Sequence, residues 1–417
     1  MPPGAAQRPV DPGLTAVSSP EDLFLPEPEP RDVRYTVISV DDHLVEPPDM
    51  FDGRLPAKFA AEAPRVVENK WGHEVWRFDG NTYSQVGMNA VAGRRPETVK
   101  VEPFRFDQMR RGCWDIHERV RDMDINGVWA SLSFPSMITG FCGRVFSQCS
   151  DPELGLAVTR AWNDWHLEEW AGNYPERIIP CQVPFLLDAK VAADDIRANA
   201  ARGFHAVTFP ESPHRVGLPS LHSDYWEPLW AACEETGTVV CIHAGSSGIA
   251  GVVDPDAPQA VLAPMFAIPQ CLATTIDWLY SKVPVRYPEL KICLSEGGIG
   301  WVAALLDRLD HDLDKQQNLA WWGDLTPSEL LLRNFWFCML DDPTAMRCER
   351  ERIGVENIVL EVDYPHADAS WPDTQEKWRG QFDGLPTEDV RMMAWANAAE
   401  LFQHPVPAIV QQDPDAF

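Results

Sequence analysis

Eight short apolar runs, separated by amphipathic stretches of helical length, constrain this chain more tightly than anything in its composition. The runs fall at residues 36–40, 128–134, 178–185, 205–209, 238–243, 290–294, 335–340 and 358–362. Each is short for a helix and reads as a strand covered on both faces. Helical periodicity runs between them through 115–126, 152–173, 189–201, 224–236, 270–283, 301–314 and 343–353, and 387–402 closes the series. Strands alternating with helices pair in parallel through right-handed crossovers, and eight such units close on themselves. The expected fold class is therefore α/β, a (β/α)8 TIM barrel. At 417 residues the chain is long for one barrel, so insertions are expected.

One insertion is legible at residues 51–113, which fit no simple βα step. There Glu74-Val75-Trp76-Arg77-Phe78 alternates in polarity, Asp79-Gly80-Asn81 is a turn sequence, and Thr82-Tyr83 resumes the pattern. This reads as a β-hairpin inserted after strand 1, placed to act as a lid over the catalytic rim. Residues 1–34 are rich in proline and acid and read as a disordered or draped arm, residues 35–403 as the barrel, and 404–417 as a tail.

A formal net charge of −28 repels nucleic-acid phosphates and anionic lipid headgroups, so neither nucleic acid nor membrane is an expected partner. No N-terminal apolar segment has the form of a secretory signal. No apolar run approaches the roughly 18 residues that span a bilayer. None of the ten cysteines forms a C-x-x-C pair, and Cys241, Cys293 and Cys338 lie inside strand runs. That is buried-thiol usage in a reducing compartment, and the expected location is cytoplasmic.

Potential metal ligands collect where the strands end. Asp41 and His43 are two apart and share a face, Asp42 takes the other, and Glu46 follows before Pro47-Pro48. His243 closes the fifth run, ahead of the small residues 244–248. Glu296 ends the sixth in Leu-Ser-Glu-Gly-Gly, and Asp363 and His366 end the eighth in Asp-Tyr-Pro-His. Glu361 alternates with Asp363 and is a lesser candidate. Capping acids at a turn explain an isolated Asp-x-His equally well, and a lone strand-end histidine is often a core residue. An unpaired buried carboxylate is costly, however, and several strand ends agree. The candidate metal ligands are Asp41, His43, Glu46, His243, Glu296, Asp363 and His366, with Asp363, His366 and Glu296 also candidate catalytic groups. His222 reads as standing near a helix start. His73, His117, His166, His311 and His404 read as solvated, and Trp162, Trp165, Trp170, Trp321 and Trp322 as packing.

Taken together, Asp-x-His, the Arg119-x-x-Asp122-Met-Asp-x-x-Gly-Val stretch, His243, the Glu-Gly-Gly step, Asp363-Tyr-Pro-His and residues 397–402 resemble the amidohydrolase-related superfamily. The branch is the aminocarboxymuconate-semialdehyde-decarboxylase-like one, and the likeness covers roughly residues 35–403. The resemblance implies a metal-dependent TIM barrel. Such proteins usually carry His-x-His on strand 1, histidines on strands 5 and 6, and aspartate on strand 8 around one zinc-like metal. This chain keeps His43, His243 and Asp363, but has Asp41 and Glu296 where the family has histidine.

Those replacements alter the charge balance. Asp41, Glu46, Glu296 and Asp363 bring about four negative charges together, and one divalent ion would leave about two uncompensated at several kcal/mol each. Carboxylates also favour iron or manganese over zinc, and the set matches the ligand inventory of di-iron carboxylate proteins. A branch with Asp-x-His-x-x-Glu resembles TIM-barrel nonheme di-iron monooxygenases. The resemblance thus implies O2-dependent hydroxylation of an apolar acid or acyl-CoA-type substrate, with an electron donor as partner. The alternative is a single-metal hydrolase or non-oxidative decarboxylase, with Asp363 as proton acceptor; a third is a catalytically silent barrel. Arg94, Arg95 and Lys100 are candidates for a CoA phosphate or for a solvated loop, and residues 245–251 for a phosphate cradle or a turn. A homodimer is compatible with the aromatic helices.

Overall fold

The computed structural model describes residues 20–84, 89–99, 105–248, 254, 256–258, 261–315 and 322–412. Its barrel strands are β1 (Ile38–His43), β2 (Ala130–Phe134), β3 (Ile178–Ile179 and Cys181–Gln182), β4 (Ala206–Thr208), β5 (Val239–His243), β6 (Ile292–Ser295), β7 (Phe335–Met339) and β8 (Ile358–Leu360). All neighbouring pairs are parallel, and β1 lies between β2 and β8. The circle closes through β3. Pro180 has no amide hydrogen to give the ladder, so Ile178–Ile179 pairs with β2 and Cys181–Gln182 with β4. The single run expected over 178–185 is therefore two short pieces of one strand.

Period-2 alternation decides which side chains fill the barrel axis. Ile38, Leu132, Val239, Cys241, Cys293 and Val359 form one buried cluster. Their strand neighbours Val240, Ile292, Leu294 and Phe337 pack in a second cluster with the surrounding helices. Each fully buried Val, Leu or Phe contributes about 1.5–3 kcal/mol, and cysteine serves on the axis as a small hydrophobe. Leu401, Phe402, Val406 and Val410 join the inner cluster. Thr36, just before β1, donates to the Val410 carbonyl at 3.3 Å. The C-terminal segment thus plugs the barrel floor as far as Val410, and 413–417 lie outside the described residues.

Among its described residues, the stretch 51–113 carries three antiparallel strands, Arg65–Glu68, Glu74–Phe78 and Asn81–Tyr83. Asp79 and Gly80 turn the last two with φ of 47° and 72°, the left-handed pair of a tight hairpin. The first strand was illegible because adjacent Val66 and Val67 break the alternation. Trp76 packs edge-on to Phe51, and Phe78 edge-on to Phe146 beyond β2, at 5.8 and 5.9 Å between ring centroids. Lys100 lies outside the described residues. Residues 1–19 lie outside them too, while 20–34 run from the stretch 51–113 toward the helix that follows it: Leu25 N donates to Gly93 O at 2.8 Å and Arg31 N to Ile125 O at 2.9 Å.

Helix Ile116–Asn126 begins at Asp115, whose carboxylate accepts the amides of His117 and Glu118, and ends at Gly127 with φ 68°. Three histidines expected in solvent are buried: His73, His166 and His404. His166 stacks on Trp162 at 4.9 Å and accepts the Cys181 amide at 3.4 Å, and burial pushes it down to about 3. An amphipathic helix position thus served packing. Among the described residues no helix is long and apolar enough to cross a membrane. Trp321 lies outside them.

Candidate metal centre

The site begins with an irregularity in β1. Ser39 pairs with Ser131 and Asp42 with Ser133, so Val40 and Asp41 together stand opposite Leu132. This β-bulge resets the alternation. Without it, Asp41 would share the outward face of Ser39. With it, Val40, Asp41 and His43 face the axis, while Ser39 Oγ donates to outward-facing Asp42 at 3.1 Å.

The other candidates arrive on the ends of β5, β6 and β8. His243 is the last residue of β5, and its Nδ1 lies 2.6 Å from the Ala244 carbonyl, which assigns that nitrogen the proton and leaves Nε2 facing the cluster. Glu296 and Asp363 follow β6 and β8 in left-handed backbone, at φ 63° and 60°. Non-glycine residues hold that conformation at a cost of about 1–3 kcal/mol, and such positions gather at functional sites. The two glycines after Glu296 have no room for side chains: a Cβ on Gly297 would lie 2.7 Å from Cys271 Sγ, and one on Gly298 2.9 Å from the Asp342 carboxylate.

These strand ends bring six ligand groups together. His43 Nε2 lies 3.0 Å from His243 Nε2, 3.4 Å from Asp41 Oδ1 and 3.3 Å from Asp363 Oδ1. His243 Nε2 is 3.7 Å from Asp41 Oδ2 and 3.6 Å from Glu296 Oε2. His366 Nδ1 stands 3.0 Å from Asp363 Oδ1 and 4.0 Å from Glu296 Oε1, with its ring stacked on His43 at 3.6 Å. Ligand atoms bound at about 2.1 Å to one ion sit about 3.0 Å apart at right angles and about 3.4 Å apart in a tetrahedron. The observed separations cover that range. Among the described residues, both oxygens of Asp41, Oδ2 of Asp363 and Oε2 of Glu296 are buried with no hydrogen-bond partner, whereas Asp363 Oδ1 faces His366 Nδ1. Oxygens left so are costly to bury, and a cation satisfies them. Among the described residues three overlapping triads could hold one: His43–His243–His366, Asp41–His43–Asp363 and Glu296–Asp363–His366.

Electrostatics point the same way. Burial, reinforced by Glu361 and Asp363, pushes Asp41 well above the usual carboxylate range. Burial likewise raises Glu296, Glu361 and Asp363. Burial also lowers His43 and His243, which keeps them as neutral, ligand-competent imidazoles.

Glu46 does not join the cluster. Its carboxylate accepts the Ser136 amide at 3.1 Å, the Ser136 hydroxyl and Trp162 Nε1 at 3.1 Å, so its needs are met inside the chain. The spacing to His43 points to a ligand, but Ser136 in the loop after β2 and Trp162 on the helix beyond it supply the donors that occupy it. Glu361 lies behind the site instead, fully buried, accepting the Glu296 amide at 2.9 Å with Oε1 unpartnered. Its alternation with Asp363 was the signal for it. The walls were not legible. Phe134 approaches the His243 ring at 5.2 Å, and Phe141 stacks on it at 5.6 Å. Glu211, also unforeseen, accepts from Gly245 N at 3.1 Å, Ser247 N at 3.4 Å and Gln270 Nε2 at 2.6 Å, tying down the loop after His243. Residues 249–251 of the glycine-rich stretch lie outside the described residues.

The family model described as amidohydrolase matches residues 57–403. Among solved structures, an amidohydrolase from Mycobacterium avium subsp. paratuberculosis K-10 is similar at 21% identity, covering 89% of this chain and 100% of that one with a TM-score of 0.69. 5-Carboxyvanillate decarboxylase from Sphingomonas paucimobilis is similar at 19% identity, with 89% and 99% covered and a TM-score of 0.59. Dihydroxybenzoic acid decarboxylase from Polaromonas sp. JS666, with bound manganese and the inhibitor 2-nitroresorcinol, is similar at 15% identity, with 92% and 100% covered and a TM-score of 0.59. At these identities the structures speak for the fold alone. The family match does more: running from the insertion to the end of the last barrel helix, it makes this chain a member of the amidohydrolase family of metal-dependent enzymes.

Proposed function

We propose that the protein decarboxylates a small organic acid without an oxidant, at one divalent cation held by Asp41, His43, His243 and Asp363. The observation that carries this reading is their convergence: His43 Nε2 lies 3.0–3.4 Å from ligand atoms of Asp41, His243 and Asp363, and His243 Nε2 lies 3.7 Å from Asp41, whose oxygens have no hydrogen-bond partner among the described residues. The ion supplies Lewis-acid polarisation of the substrate's oxygens. The remaining work falls to side chains.

Decarboxylation breaks a C–C bond, leaves the electron pair on carbon, releases CO2 and requires a proton on that carbon. His366 is placed to give it. Burial alone would lower this imidazole, but in the metal-free chain Asp363 and Glu296 outweigh burial and push it up to about 10. Glu296, 4.0 Å from His366, is placed to return one after turnover. The Phe134 and Phe141 rings exclude water from the imidazole side. Hydrolysis at the same cation uses the same groups, with Asp363 as proton acceptor. That two of the similar structures are decarboxylases of aromatic acids supports an aromatic acid as substrate class.

The carboxylate count favours a second reading. Asp41, Glu296, Glu361 and Asp363 carry four negative charges if all are ionised. One divalent ion and a protonated His366 cancel three, whereas two divalent ions cancel all four. Two irons at overlapping triads would suit dioxygen-dependent hydroxylation of an apolar acid or its CoA thioester, with electrons from a donor protein. One experiment separates the two: elemental analysis of protein purified without added metal, followed by turnover of a panel of aromatic acids with and without oxygen. One metal per chain and oxygen-independent CO2 release support the first reading. Two irons and oxygen uptake replace it with the second.

A further inference from the structure

The Arg119-x-x-Asp122 stretch takes no part in the chemistry above, yet it reaches the back of the ligand cluster. Arg119 is fully buried, donating through Nη2 to the carbonyl of His43 and through Nε to that of Gly112 at 2.7 Å. Its guanidinium lies over the Tyr364 ring at 4.3 Å. Asp122 accepts the Tyr364 hydroxyl at 2.5 Å and is clasped by Arg110 through Nε at 2.7 Å and Nη2 at 2.6 Å. Asp42 accepts the Tyr364 amide at 2.9 Å and the hydroxyls of Ser39 and Ser131. His43 is itself a ligand, and Tyr364 directly follows another.

We infer that Arg119, Asp122, Tyr364 and Asp42 form a brace that fixes the ligands of β1 against those of β8, and are positioning residues for the cation. Two backbone bonds already cross this gap, His43 N to Tyr364 O at 2.6 Å and Asp363 N to Asp41 O at 2.8 Å. Asp363 nevertheless sits in left-handed backbone, which persists only where its surroundings over-determine it. The brace supplies that constraint from the far side of the strand. It is closed tightly: a Cβ on Gly112 would collide with the Asp122 carboxylate and lie 2.6 Å from the Tyr364 hydroxyl. Ligand sets tolerate misplacement of only about 0.5 Å, and His43 Nε2 to Asp363 Oδ1 is the distance the brace controls. Asp41-Asp42-His43 thus divides its labour, the outer two residues facing the ion and the middle one anchoring the support.

This inference rests on the cation reading but not on the reaction. The test titrates purified full-length Tyr364→Phe, Asp122→Asn and Arg119→Lys with Mn(II) alone, following free Mn(II) by electron paramagnetic resonance. The unfolding midpoint of each chelator-treated protein is measured alongside. Tyr364→Phe removes one oxygen and decides the matter if Arg119→Lys fails to fold. Outer partners of metal ligands typically command about 10–100-fold in affinity, and Tyr364→Phe and Asp122→Asn are expected to weaken Mn(II) by that much while the metal-free midpoint stays near the parent's. Arg121→Ala, on the same helix but exposed, should leave affinity unchanged. Mn(II) binding within about threefold of the parent in both variants overturns the brace, as does a loss matched by Arg121→Ala. A parent that binds no Mn(II) overturns the cation reading as well, whereas a parent that binds it without decarboxylating leaves the brace standing.

Discussion

Asp41 and Glu46 are fully buried carboxylates five residues apart, and their surroundings are opposites. Glu46 is met by Ser136, through both amide and hydroxyl, and by the Trp162 indole. Among the described residues neither oxygen of Asp41 meets a hydrogen-bond donor, and the groups that raise it include Asp363 and Glu361. An ionised carboxylate without partners costs several kcal/mol to bury. The chain has solved that problem for Glu46 from within. For Asp41 it has not, so the partner must come from outside. The lesson is that burial alone does not mark a metal ligand; burial without donors does.

The largest test of this contrast removes a charge from each pocket. Asp41→Asn should weaken Mn(II) binding by more than about 100-fold, beyond the reach of outer partners, and bring elemental metal content to background. Its metal-free form should be more stable than the metal-free parent by about 1 kcal/mol or more, because an uncompensated buried charge has gone. Glu46→Gln should do the reverse. It should keep its metal but lose about 1–3 kcal/mol in denaturant unfolding, since an amide nitrogen now faces donors. Equal behaviour of the two variants would erase the distinction.

Proton competition sharpens the contrast at the next level. Burial first, and neighbouring carboxylates second, hold Asp41 and Glu361 above the ordinary range, and Glu296 and Asp363 are raised as well. The folded, metal-free chain therefore binds protons more readily than the unfolded chain. The stability this contributes is fully present below the ordinary carboxyl pKa near 4 and is lost as pH rises through the raised folded values. A cation competes for the same oxygens, so Mn(II) affinity should fall from about pH 7 to about pH 5 and binding should release protons. Calorimetry in two buffers of different protonation enthalpy reads this release. No release, and a flat affinity, would mean these oxygens are not the ligands.

The smallest effect is expected far from both pockets. Gly80→Ala forces a side chain into φ 72° at the hairpin turn and should cost about 1 kcal/mol, with metal content unchanged. Loss of metal in that variant would mean that the insertion and the ligand cluster are coupled.

Much of the barrel was legible because hydrophobic periodicity is a local property. Seven of the expected runs coincide with single strands, and β3 departs only because Pro180 interrupts its ladder. The candidate ligands were legible for a related reason: strands of a parallel barrel all end at one face, so acids and histidines at strand ends are brought together by topology. Glu46 departs from its expected role because spacing says nothing of donors arriving from a distant loop and helix. His166 was misread because a polar neighbourhood in sequence became a stacked pocket against Trp162.

From its sequence alone this chain determined an alternating α/β barrel and the residue types at its strand ends, because period and chemistry are written residue by residue. Tertiary structure decided which of those carboxylates are left without donors. It placed a bulge that turns Asp41 inward, lent Ser136 and Trp162 to Glu46, and brought Arg119 and Asp122 behind His43 and Tyr364. Hydrogen-bond partners more than 70 residues apart are assigned by packing, and no window of sequence contains them.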